Sequence, residues 1–150
     1  MNYLSRFEQL WRRIFPRPEP FPKVQTNEPL SRFVLSKRLL KQSRSRVSPQ
    51  VFAPSTKTQT TSIYRILGCS EEEIWAIGDR YVTDLHPEHK PVLARADLDA
   101  EKVTKIGLKI IPCPRPHPRH ADVTEWPQEE HLALMKATAL ANSSVLISRH

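Results

Sequence analysis

Two runs of alternating prolines constrain this chain more than any other feature of its sequence. They cover residues 16–22 and 112–118, and the chain as a whole carries 14 prolines against 3 glycines. Proline fixes φ and removes a backbone donor, so neither run suits a helix or the interior of a strand. We expect the first run to be a semi-rigid spacer and the second to be an extended segment within the folded domain.

The excess positive charge of the chain lies in its N-terminal 60 residues. The net charge is +7; residues 1–60 hold 12 Lys and Arg against 3 Asp and Glu, and residues 61–150 hold 11 against 13. An excess of this kind favours acidic partners, which are nucleic acid, an anionic membrane surface or an acidic protein face.

The length of 150 residues fits one domain. No apolar run approaches the roughly 18–20 residues that cross a bilayer, and the N-terminus lacks the pattern of a secretory signal. The two cysteines make no disulfide framework, which favours a cytoplasmic protein. No glycine-rich phosphate loop is present, and we assign no cofactor.

Residues 1–28 form a basic N-terminal arm in this interpretation. Residues 3–15 have the apolar spacing of an amphipathic helix, which Pro16 ends. Such a short helix is marginal alone, so we expect it to dock onto a larger protein. A membrane surface is the less favoured alternative. The expected partner-binding side chains are those of Phe7, Leu10, Trp11, Ile14 and Phe15.

The remaining residues, 29–150, predict one compact α+β domain with a small mixed or antiparallel sheet and two main helices. Strands are expected at 31–36, 62–67, 92–94 and 108–111, and the tail after 143 as an edge strand or a frayed end. The main helices are expected at 71–82 and 127–142. Ser70 and Glu73 have the spacing of a capping box, and Pro127 suits the first position of the second helix. A brief third helix is expected between an Asp99 cap and Gly107.

A basic run follows the first predicted strand and offers an alternative function. Its cations alternate with serines, which suits contact with phosphates. Because no aromatic side chain is interleaved, we expect any nucleic-acid binding to be weak and without sequence preference. The cations concerned are Lys37, Arg38, Lys41, Arg44 and Arg46.

The histidines and cysteines cluster in proline-interrupted stretches. Such donor types could hold zinc, but spacing in these stretches does not place them on one face. We therefore assign no metal, and we interpret both cysteines as small apolar residues rather than nucleophiles. We expect the corner 118–121 to bury His120 against the backbone or Asp122. The residues concerned are Cys69, Asp84, His86, Glu88, His89, Cys113, His117, His120 and Asp122.

Several short motifs resemble a family of small bacterial proteins. They are Arg46-Val-Ser followed by Phe52, Ser62 with Arg65, Gly107-Leu, and Pro118-Arg-His-Ala-Asp-Val. The resemblance spans residues 30–141 and transfers no activity. It implies that Arg46, Phe52, Ser62, Arg65 and His120 form one structural unit, and it is associated with multi-gene loci of the mobile-element or defence type.

Three classes of function follow in order of preference. The first is a non-enzymatic interaction component of a bacterial multi-protein system, and the second is a nucleic-acid-binding accessory protein. The third is a transferase-like enzyme or toxin. An arginine near a first strand and a serine on a later strand resemble ADP-ribosyltransferase-like folds, although no later strand offers an identifiable catalytic acid. The side chains considered for that activity are Arg32, Arg46, Ser62, Arg65 and His120.

Overall fold

The computed structural model describes residues 22–41 and 46–149. Within them, six strands form an antiparallel sheet in the order β6-β7-β4-β1-β5-β8, and two short strands, β2 and β3, pair separately. The strands are β1 Pro29–Val34, β2 Leu40–Lys41, β3 Arg46–Val47, β4 Thr61–Arg65, β5 Ala94–Asp99, β6 Lys109–Pro112, β7 His120–Thr124 and β8 Val145–Ser148. The predicted α+β class with an antiparallel sheet is confirmed.

Three α-helices accompany the sheet in the described residues. They are α1 Glu71–Gly78, α2 Ala100–Thr104 and α3 Glu130–Ser143, and α1 continues into a π-helical turn, Asp79–Thr83. Short 3₁₀ turns occupy Lys37–Leu39 and Pro49–Val51. No helix in this part of the chain is long and apolar enough to cross a bilayer.

Helices cover both faces of the sheet. On one face α2, α3 and the segment around Val51 enclose the larger core, which contains Leu30, Ile63 and Leu140. On the other face α1 packs against Phe33 and Tyr64. The alternation of side chains along β1 and β4 produces this division, since neighbouring residues point to opposite faces.

The start of α1 agrees with the expected cap. Ser70 Oγ accepts a hydrogen bond from the backbone N–H of Glu73 at 3.2 Å, which satisfies one of the open donors of the first turn. Gly107 has a φ of 83°, the left-handed conformation expected where a helix ends. Both local motifs were visible in the sequence because they depend on residues a few positions apart.

Several expected boundaries are wrong. The helix expected from Pro127 begins at Glu130, because residues 126–128 remain non-helical and Glu129 is the N-cap. The Asp99 side chain makes no cap hydrogen bond to α2. The strand expected at 92–94 lies at Ala94–Asp99, where the polar residues Arg95 and Asp97 concealed the strand pattern.

Candidate anion-binding cavity

Strands β1 and β4 separate in the middle of the sheet. Their register holds only Leu30 opposite Arg65 and Ser31 opposite Tyr64. Beyond Ser31, β1 continues along β5, while β4 continues along β7. A cleft therefore opens between two central strands of the sheet.

A cavity of about 330 Å³, partly open to solvent, occupies this cleft. Strand residues form its floor, and the chain after α1 and the proline-rich segment before β7 supply its walls. The described residues that line it are Arg32, Phe33, Ser62, Tyr64, Tyr81, Val82, Leu85, His86, Pro87, Pro116 and His120.

Arg32 spans the gap between the two strands. Its position in β1 lies on the same face of the strand as Leu30 and Val34, which point into the larger core. Arg32 Nε donates to the carbonyl oxygen of Val51 at 2.9 Å, and Nη1 donates to that of Ser62 at 2.8 Å. The guanidinium thus bonds to β4 where the backbone ladder has stopped, and it contributes to the lining of the cavity.

The positive charge of Arg32 has no carboxylate partner among the described residues. The ion pairs of this part of the chain involve other cations, and none of the described cavity-lining residues is acidic. Burial lowers the pKa of the Arg32 guanidinium, and this outweighs the opposing influence of Tyr64. Arginine nevertheless remains protonated in proteins, so the cavity contains a cation that backbone carbonyl dipoles, and no carboxylate of the described residues, contact.

The aromatic side chains of the cavity are packed around one another. Tyr64 lies 5.6 Å from Phe33 and 5.4 Å from His120 between ring centroids. Burial raises the pKa of Tyr64 to about 12, with Arg32 opposing and Tyr81 adding to the rise. Tyr64 is therefore a neutral phenol at physiological pH, able to donate or accept a hydrogen bond.

His120 has the buried position that the sequence predicts. The residue is 6% exposed, and its Nδ1 lies 2.9 Å from the carbonyl oxygen of Cys113. Its Nε2 lies 3.7 Å from Asp122 Oδ1. The burial and the hydrogen bond to the backbone agree with the prediction for this residue, whereas the distance to Asp122 is too long for a hydrogen bond.

The five residues expected to form one structural unit lie in four places. Ser62 and His120 line the cavity, and Phe52 belongs to the larger core. Arg65 is buried in an ion pair with Glu28. Arg46 is exposed on β3. Of the side chains considered for a transferase, the cavity brings together Arg32, Ser62 and His120 but neither Arg46 nor Arg65.

The candidate nucleic-acid residues lie at the small β2–β3 hairpin. Lys37 and Arg38 are exposed in the 3₁₀ turn before β2, and the backbones of Lys41 and Arg46 are paired in the register of β2 and β3. Arg44 lies outside the described residues. The expected partner-binding residues Phe7, Leu10, Trp11, Ile14 and Phe15 also lie outside the described part of the chain.

Cys69 provides no activated nucleophile. Burial raises the pKa of its thiol, Arg119 opposes this and Glu73 adds to it. The net result favours the thiol over the thiolate, in agreement with the interpretation of Cys69 as a small apolar residue.

No model of a protein family, no curated protein and no solved structure matches this chain. The family resemblance drawn from the short motifs stays a prediction.

Four residues of the cavity wall have no signal in the sequence that marks them as cavity residues: Tyr81, Val82, Leu85 and His86. They follow α1 along the chain, and the tertiary packing brings them over β4. Arg32 had a visible signal, because a charged residue occupies the inward position between the apolar residues Leu30 and Val34.

Proposed function

We propose that this protein binds a small organic oxyanion, of the phosphate-monoester type, in the cavity between β1 and β4. The observation that carries this proposal is the Arg32 guanidinium, which lines the cavity, bonds to two backbone carbonyls and has no carboxylate partner among the described residues. An oxyanion would supply the negative charge that the neutral carbonyl partners of Arg32 lack. Charge-assisted bonds to guanidinium are among the strongest that proteins form.

The other cavity residues suit the same ligand. Ser62 and Tyr64 carry hydroxyl groups that can donate to phosphate oxygens, while Phe33, Tyr81 and Leu85 offer apolar surface for an organic group. The volume lies at the low end of the usual range for ligand pockets, about 300–1,000 Å³. This size favours a single ring with its phosphate over a dinucleotide. The net charge of +7 would assist the approach of an anion.

Calorimetric titration of the full chain with phenyl phosphate, adenosine 5′-monophosphate and inorganic phosphate tests the proposal. Phenol and adenosine are the uncharged controls. We expect a phosphorylated probe to bind and its uncharged counterpart not to. Arg32→Gln should weaken binding about 10- to 100-fold, the loss of one charge-assisted contact of about 1.5–3 kcal/mol. Arg38→Gln, which alters an exposed arginine, is the matched control.

Arg32→Gln also removes two hydrogen bonds and could unfold the chain. His86→Gln changes a cavity residue without altering the core and provides a second variant. Binding by neither phosphorylated probe, or equal affinity in wild type and a folded Arg32→Gln variant, would refute the proposal.

The interaction role of the N-terminal arm is a separate proposal. It is supported by the apolar spacing and the aromatic residues of positions 3–15. Four further proposals rest on the sequence alone. They are a cytoplasmic location, a larger protein partner, weak nucleic-acid binding and an association with bacterial defence loci.

A further inference from the structure

Strand pairing brings three different metal-binding side chains together at the edge of the cavity. The register that sets Pro112 opposite Ala121 places Cys113 next to His120, and the N–H of Cys113 donates to the carbonyl of His120. Asp122 lies two residues after His120 and therefore shares its face of β7. One donor atom from each of the three residues lies within 4.8 Å of the others.

The hydrogen bond of His120 determines which of its nitrogens can bind a metal. A carbonyl oxygen accepts only, so Nδ1 carries a proton and donates it to Cys113 O at 2.9 Å. In the neutral ring, Nε2 then has a free lone pair, and it lies 3.7 Å from Asp122 Oδ1. A cation between these two acceptors, such as a bound metal ion, would remove their repulsion. A histidine held by a backbone carbonyl through its other nitrogen is also the usual arrangement at metal sites.

We infer that Cys113 Sγ, His120 Nε2 and Asp122 Oδ1 form a binding site for a divalent transition-metal ion of the zinc type. Thiolate, imidazole and carboxylate are the ligands that Zn²⁺ takes, whereas Mg²⁺ and Ca²⁺ prefer oxygen alone. Tetrahedral zinc with bonds of about 2.0–2.3 Å has its ligand atoms roughly 3.3–3.6 Å apart. Cys113 and Asp122 are partly exposed, so small side-chain rotations can bring the donors to these separations.

The site has a geometry open to a fourth ligand. Three protein ligands leave one position of a tetrahedron for water or another group. The inference goes beyond anion binding, since only His120 belongs both to this set and to the cavity lining. Spacing along the sequence could not reveal it, because the β6–β7 register is what brings Cys113 to His120.

Cobalt(II) titration of the untagged full chain, after chelation and removal of the chelator, tests the site. Co²⁺ replaces zinc and reports a coordinated thiolate by a charge-transfer absorption in the near ultraviolet. We expect one equivalent to bind with this absorption, and Zn²⁺ to displace it. Cys113→Ser should abolish the absorption, and Asp122→Asn should lower the affinity at least about tenfold. Cys69→Ser, which alters the other cysteine, should leave both unchanged.

Circular dichroism of each variant establishes that it is folded, and Cys113→Ser and Asp122→Asn alter partly exposed positions. Absence of stoichiometric binding at a tenfold excess of metal would overturn the inference. So would an absorption that survives in Cys113→Ser. Arg32→Gln separates the two proposals: it should weaken phosphate binding and leave the cobalt spectrum intact.

Discussion

Arg65 and Glu28 form a doubly hydrogen-bonded ion pair inside the domain. Arg65 Nε lies 2.6 Å from Glu28 Oε1, and Nη2 lies 2.9 Å from Oε2. The two side chains are 3% and 5% exposed. Glu28 also receives a hydrogen bond from the backbone N–H of Gln25, so the pair joins the segment before β1 to the end of β4.

Removing the carboxylate of this pair should be costly. Glu28→Ala removes the carboxylate that pairs with the buried Arg65 guanidinium, and we expect the free energy of unfolding to fall by about 3–5 kcal/mol. Urea denaturation followed by circular dichroism measures it. Glu88→Ala, at an exposed ion pair with Lys90, is the control and should change stability by less than about 1 kcal/mol. A loss at Glu28 no larger than that of the control would contradict the prediction.

The cap of α1 gives a second prediction. Ser70→Ala removes the acceptor for the N–H of Glu73, and we expect a loss of about 0.5–2 kcal/mol in the free energy of unfolding. Ser143→Ala removes a hydroxyl that bonds back to the carbonyl of Ala139 at the other end of a helix, and it should be close to neutral. Thermal and urea unfolding of both variants test this difference. Equal effects of the two substitutions would show that the cap contributes nothing specific.

His117 gives the domain a dependence on acid. Burial lowers the pKa of His117 below its ordinary value of 6.5, and Arg119 lowers it further. Protonation would also abolish the hydrogen bond that His117 Nδ1 accepts from the Arg119 N–H at 3.0 Å. The folded state thus binds this proton less readily than the unfolded state. The neutral His117 side chain therefore contributes its full stabilisation above pH 6.5. This stabilisation is lost as the pH falls from 6.5 through the lowered pKa of the folded state.

Urea midpoints of wild type and His117→Asn at pH 8 and pH 5 measure this contribution. Asparagine offers an oxygen in place of Nδ1 but does not titrate, and the other histidines are common to both proteins. We expect the wild type to lose more stability on acidification than the variant. Parallel losses would exclude His117 as the cause.

The sequence predicted the parts of the fold that depend on near neighbours. The cap at Ser70 and the left-handed Gly107 are set by residues within one turn, and both are present. Strand β5 was too short in the prediction because Arg95 and Asp97 occupy its buried side. The structure explains their presence: Arg95 bonds to Glu71 and Asp97 and lies against the Trp75 ring.

The cavity was only partly predictable for a related reason. Arg32, Ser62 and His120 were candidates because of the short motifs and the resemblance to ADP-ribosyltransferase-like folds. Their grouping depends on the strand order, in which β1 lies between β4 and β5 although β5 comes some 30 residues later than β4. Local patterns contain no information on that order, and therefore could not place Tyr81 or His86 beside them.

The pairing of its strands divides the six-stranded sheet into two groups of three strands. One consists of β6, β7 and β4, the other of β1, β5 and β8; two residue pairs join them, whereas β1 meets β5 over six pairs and β4 meets β7 over four. The two residue pairs lie at one end of the cleft, and the Arg32 side chain bonds across its open part. Rotation of the two groups of strands about these pairs would widen or narrow the cleft. A ligand that contacts both groups of strands would hold them together. Its binding free energy would therefore also stabilise the sheet as a whole.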